Sequence, residues 1–172
     1  MIPVLLGRIQ TRLLASFTVG LIWTIIITPF LYINQPGNQG YAFVLTIDTM
    51  GGENAILQTY KLTLAALAIT ALVGAFVWEP IYHFLMQFRW EKDWPAFFQL
   101  LEVVPEGLST FLLLHVSGLN PFGDIGLDKE QYVPVLAYIF LFFTTWIAVW
   151  LFVNGPMKIF FVRWRFRGGR LI

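Results

Sequence analysis

Cysteine is absent from the 172 residues. That excludes disulfides, thiolate nucleophiles, iron–sulfur clusters held by cysteine and cysteine zinc sites together. Histidine occurs twice, as His83 and His115, and at different helix depths these do not make the paired axial ligands of a four-helix cytochrome. Charge is scarce: 12% of the residues are Asp, Glu, Lys or Arg, half the ~25% of a soluble domain. The formal net charge of +1 implies no nucleic-acid partner. There is no Ser/His/Asp set, phosphate-cradling glycine loop or HExxH motif. Asp124, Asp128 and Glu130 lack the spacing of an EF-hand loop. These absences lead to the expectation of a non-enzymatic protein with no cofactor and no metal ligand set.

What is abundant is hydrocarbon. Hydrophobic residues make up 58% of the chain, and the mean hydropathy is +0.70. They fall in four blocks, each near the ~20 residues that cross a bilayer as a helix. The expected fold is an all-α integral membrane protein, a single transmembrane domain over residues 1–172. Its four spans are placed at about 13–33, 60–86, 96–117 and 132–153. The first block is too long for a signal h-region and no small-x-small cleavage site follows, so an uncleaved first span is expected. Residues 1–12 read as a short interfacial segment with Arg8 and Arg12 among the headgroups. Pro29 is expected to kink the first span near its far end. In the polar connection 34–58, the segment Tyr41–Ile47 has the composition of a short strand or a surface-lying segment.

Basic residues set the expected orientation. Arg8, Arg12, Arg89, Lys92, Lys158, Arg163, Arg165, Arg167 and Arg170 fall on one side of the four-span scheme; Lys61 and Lys129 fall on the other. The positive-inside rule then puts both termini and the 87–95 loop in the cytoplasm, as in a cell inner membrane. The basic C-terminal tail, with Arg163, Arg165, Arg167 and Arg170 interleaved with Val162, Trp164 and Phe166, suits an anionic lipid surface. Each basic residue near such a surface contributes ~1 kcal/mol. In the second span Ala66, Thr70 and Gly74 lie four apart, a spacing that lets a neighbouring helix backbone come close.

The third span carries the chemistry. At about 100° per residue, Gln99, Glu102, Glu106, Ser109, Thr110, Ser117 and Asn120 share one side, interrupted by Leu113. The opposite side is Phe, Leu and Val, so the polar stripe must turn toward other helices, a partner chain or water. Glu102 lies roughly 9 Å and Glu106 roughly 15 Å along the helix, the latter near the middle of a ~30 Å hydrocarbon core. A charge at that depth costs ~2.5–3.5 kcal/mol on insertion scales. The four-span scheme puts no Lys or Arg level with them. Their partners are therefore expected to be a proton, a cation, water, a hydroxyl such as Ser109, or another subunit. Pro105 and Gly107 flank Glu106, and proline leaves the carbonyl of Leu101 without its helical donor.

Two functions fit these features. The leading expectation is a non-enzymatic multi-pass membrane subunit that assembles as a homo-oligomer or with other membrane subunits in a larger complex. The alternative is a small ion channel or proton-coupled transporter, with Glu102, Glu106 and Ser109 as the ion or proton site.

Overall fold

The computed structural model describes residues 2–31, 52–88, 96–115 and 135–161. The tail arginines Arg163, Arg165, Arg167 and Arg170, the Tyr41–Ile47 segment, residues 89–95 of the charged loop and the acidic positions 124–130 lie outside the described residues. All the described elements are helical, and they form four rods.

The first rod is α1 (Ile2–Ala15), a π-helical turn (Ser16–Gly20), α2 (Leu21–Ile27) and a tight 3-10 turn (Thr28–Phe30). Thr18 helps to open the π-turn: its hydroxyl donates to the Leu14 carbonyl at 2.6 Å, competing with the backbone there. Pro29 sits inside the 3-10 turn, so the expected kink is a tightened last turn. The second rod is α3 (Gly52–Val73), a second π-turn (Gly74–Trp78) and α4 (Glu79–Met86). Pro80 stands in the first turn of α4, and its ring would meet the carbonyl of Phe76, four residues back; the widened turn relieves that clash.

The third rod is α5 (Ala96–Leu101) and α6 (Val103–His115), with a break at Glu102. Pro105 causes the break, because it cannot donate to Leu101. The backbone N–H of Glu106 still reaches the carbonyl of Glu102 across it, at 3.2 Å. The fourth rod is α7 (Val135–Asn154), which bends at Gly155 into α8 (Pro156–Phe160).

Three helices are long and apolar enough to cross a membrane: Leu5–Phe30, Thr59–Met86 and Val135–Phe160. The break at Glu102 keeps the third rod out of that group. The first of these helices corrects an expectation. Residues 2–15, expected as a short segment ahead of a span beginning at 13, are the first half of one continuous rod, and Arg8 and Arg12 lie within its apolar stretch.

Neighbouring rods run antiparallel. Arg8 meets Glu79 and Met86 near one end of the first two rods, and Thr28 meets Thr63 near the other. Gln99 meets Asn154 at the first end, and Gly107 meets Tyr138 further along. The outer faces are hydrocarbon: Ile22, Ile26, Phe76, Phe84, Val104, Leu108 and Leu136 are all exposed. The interior mixes an apolar cluster of Ile27, Leu31 and Leu141 with buried Thr24, Thr28, Thr63, Thr110, Glu79, Glu102 and Glu106. Polar groups inside and apolar groups outside is the arrangement of a bundle solvated by lipid.

Candidate functional site

The polar stripe of the third rod turns inward. Glu102 is 6% exposed and Glu106 1%, and Thr110 is equally hidden. Leu101, Val104, Leu108 and Leu112, on the other side, face out. Opposite the stripe, α1 presents Arg8 and Arg12, one turn apart on the same face.

Arg12 is the centre of the site. One guanidinium nitrogen, Nη1, donates to Glu79 Oε1 at 3.1 Å. The other, Nη2, donates to Glu106 Oε2. The flat face of the same group lies over Trp146, 5.4 Å from the ring centroid, in the range of a cation–π contact. Arg8 Nε donates to the second oxygen of Glu79, Oε2, at 2.6 Å. Glu79 thus bridges both arginines and α4 is tied to α1. At 1.5 Å per residue, Arg12 is about 10 Å from Leu5 along the rod.

This overturns the expectation that no cation lies level with the third-rod carboxylates. Arg12 pairs with Glu106, because α1 continues into the bundle as the first half of the first rod. Glu79, which no sequence motif marks, is 6% exposed and holds both arginines. The missed signal was a match of spacings. Arg8 and Arg12 are four apart, Glu102 and Glu106 are four apart, and the two pairs have opposite sign.

Gly74 makes room for the guanidinium. A Cβ at that position would lie 2.6 Å from Arg12 Cζ. Of the small residues on the second rod, Gly74 therefore receives a side chain, where a neighbouring backbone was expected. Ala66 and Thr70 behave otherwise. Thr70 donates to the Ala66 carbonyl at 2.7 Å and shares a 3.1 Å hydrogen bond with Thr110 of α6, where α3 and α6 pack together. Ser109 does not touch a carboxylate oxygen. Its hydroxyl donates to the backbone carbonyl of Glu106 at 2.9 Å and accepts from Trp78 Nε1 at 3.1 Å.

Between the rods runs a cavity of about 560 Å³. Gln99, Asn154 and Lys158 line one end, and Thr24 and Thr63 line the other, with Arg8, Arg12, Glu79 and Glu102 along it. From Arg8 to Thr24 the first rod advances about 24 Å at 1.5 Å per residue, most of a ~30 Å hydrocarbon core. The fourth rod supplies an aromatic wall of Tyr138, Phe142, Trp146 and Trp150. Glu106 stands behind Arg12. Its Oε1 is buried with no hydrogen-bond partner among the described residues.

Such a site can hold and relay charge. Among the described residues, Arg8, Arg12 and Lys158 line the cavity together with Glu79 and Glu102, and Glu106 pairs with Arg12 behind them. No family model, curated protein or solved structure matches the chain.

Proposed function

We propose that this chain is a multi-pass membrane protein that carries protons or cations through its helical bundle, with Glu102 and Glu106 as the exchanging groups. The carrying observation is the long cavity with the Arg8–Arg12–Glu79–Glu102–Glu106 cluster along it and beside it. An intramembrane ionisable residue is a candidate functional group by default. Here Glu102 and Glu106 are both buried carboxylates, the group type that exchanges a proton. The third rod acts as the fourth membrane crossing, paired with its neighbours through the charged site. Both termini lie in the cytoplasm on the positive-inside argument, and the tail arginines rest on anionic lipid. Assembly as a homo-oligomer or with other membrane subunits is the second reading; it has less to draw on where Glu106 and Gly74 both meet Arg12 within the chain.

The test is flux. In liposomes containing a pH-sensitive dye, the reconstituted protein should dissipate an imposed proton gradient. The Glu102→Gln, Glu106→Gln double variant should lose that activity. Equal flux with and without the two carboxylates would sink the proposal.

A further inference from the structure

Glu106 Oε1, Thr145 Oγ1 and Trp146 Nε1 are buried and have no hydrogen-bond partner among the described residues. We propose that these atoms bind water, and that this water delivers the cargo, a proton, to Glu106. The inference rests on the proposed carrier function and names which of its two kinds of cargo the site takes.

Thr145 differs from the other threonines around it. Thr18, Thr28, Thr70 and Thr144 turn their hydroxyls back to the carbonyl four residues earlier. Thr145 would need the Leu141 carbonyl, which Thr144 already approaches at 3.2 Å. Its hydroxyl is left on the cavity wall, in a residue 9% exposed. Trp146, the next residue, lines the same wall beneath the Arg12 guanidinium. Buried polar groups of this kind are satisfied by ordered water where protein supplies no partner.

Arg12 brings Glu106 to the same place. Glu106 Oε2 holds the guanidinium whose flat face covers Trp146. Gly107, next in the chain, packs against Phe142: a Cβ there would come within 2.9 Å of the ring. Phe142 in turn stacks on Trp146, with the ring centroids 5.9 Å apart. Glu106 and Trp146 therefore stand on either side of one guanidinium. Room is ample, since the cavity holds about 560 Å³ and one water takes ~30 Å³.

Chemistry selects the ligand. An indole N–H only donates, an ionised carboxylate only accepts, and a hydroxyl does both. Water can accept from Trp146 and donate to Glu106. A metal cation cannot accept from the indole, and at Oε1 it would face the guanidinium held by Oε2. A halide cannot donate to the carboxylate. Among the described residues, no three His, Cys, Asp or Glu side chains gather as a metal site.

The step is a proton transfer. An excess proton on the water passes to Glu106 Oε1, leaving neutral water and a neutral carboxylic acid, and the reverse releases it. Arg12 keeps Glu79 through Nη1 in both states. The charged and titratable groups around the exchange are Arg12 and Arg8 from the first rod and Glu79 from the second, with Tyr82 and His83 on the same helix. Glu102 lies one turn back on the third rod. The fourth contributes Tyr138, which donates to the Gly107 carbonyl, and Lys158, exposed at the mouth.

The experiment uses the full chain in liposomes containing a pH-sensitive dye. Thr145→Val keeps the shape and removes the hydroxyl; it should slow proton flux about tenfold, the worth of one hydrogen bond to the positioned water. Thr145→Ser, which keeps the hydroxyl, should retain most of the flux. Trp146→Phe keeps a ring beneath Arg12 and removes the N–H; it should slow flux several-fold, and it carries the test should Thr145→Val not fold. A sodium or potassium gradient at equal pH should move neither ion. Infrared difference spectra between low and high pH give a readout apart from transport. The carbonyl band of protonated Glu106, identified by its loss in Glu106→Gln, should come with a water band that shifts in oxygen-18 water and vanishes in Thr145→Val. Wild-type proton flux in both Thr145→Val and Trp146→Phe, equal impairment in Thr145→Val and Thr145→Ser, or a spectrum without that water band overturns the inference and leaves the carrier standing. Glutamate-dependent flux of sodium or potassium does the same. Absence of any glutamate-dependent flux overturns the two together.

Discussion

The two halves of the bundle handle buried polarity in different ways. In the hydroxyl half, Thr28 and Thr70 donate back to a carbonyl of their own helix, and the single Thr63 proton serves either the Tyr60 carbonyl or Thr28. They touch across the interface through shared hydroxyl pairs, Thr28 with Thr63 and Thr70 with Thr110. In the charged half, no such local partner serves. Arg8, Arg12, Glu79 and Glu106 are held by one another, from three different rods. A hydroxyl satisfied by its own helix is a self-contained unit, and its loss is felt locally. A charge satisfied from another helix is a shared debt: removing one member leaves its partners ionised in a dry place.

That difference can be broken or sharpened by stability measurements on the detergent-solubilised protein. The largest effect is expected for Arg12→Leu, which strips Glu79 and Glu106 of a common partner. Breaking a buried ion pair from one side costs about 3–5 kcal/mol, and thermal unfolding should report a loss on that scale. Adding Glu106→Gln to the same chain should return part of it, since an unpaired carboxylate is removed; a double-mutant cycle measures the coupling. Next comes Gly74→Val, which drives a side chain into the guanidinium. Overpacking of this kind costs about 1–3 kcal/mol, and the penalty should shrink in the Arg12→Leu background. Smaller again is Tyr138→Phe, which removes the 2.7 Å donation to the Gly107 carbonyl. The smallest is Thr110→Val, whose partner Thr70 keeps its bond to Ala66, with a cost of at most about 1 kcal/mol. Should Thr110→Val unfold the protein as readily as Arg12→Leu, the contrast between the halves is false.

Much of this was legible in the sequence, and the parts that were not share a physical cause. The stripe of Glu102, Glu106 and Thr110 was readable because helical periodicity alone decides which side chains share a face. The break before Val103 followed from Pro105, whose effect reaches a fixed four residues back. The counter-charges were not readable in the same way. Whether Arg8 and Arg12 lie in headgroups or inside a bundle depends on what faces them, and local composition favours the interface for any basic residue near a chain end. Only the tertiary fold brings Glu79 and Glu106 to α1. Gly74 is intermediate: its spacing announced that something comes close, without saying whether a backbone or a guanidinium would fill the space.

The π-turn at Ser16–Gly20 fixes where those arginines point, and it does so by length. It holds more residues per turn than an α-helix. Deleting one codon there would let the rod return to regular winding, and each residue of an α-helix subtends about 100°. With α2 anchored by the Thr28–Thr63 pair, the half carrying Arg8 and Arg12 would swing toward lipid, away from Glu79 and Glu106. Exchanges of exposed Phe17 for other side chains leave the arginines where they are; an in-frame loss of one residue moves both at once. Selection on this stretch should therefore forbid insertions and deletions more strictly than substitutions.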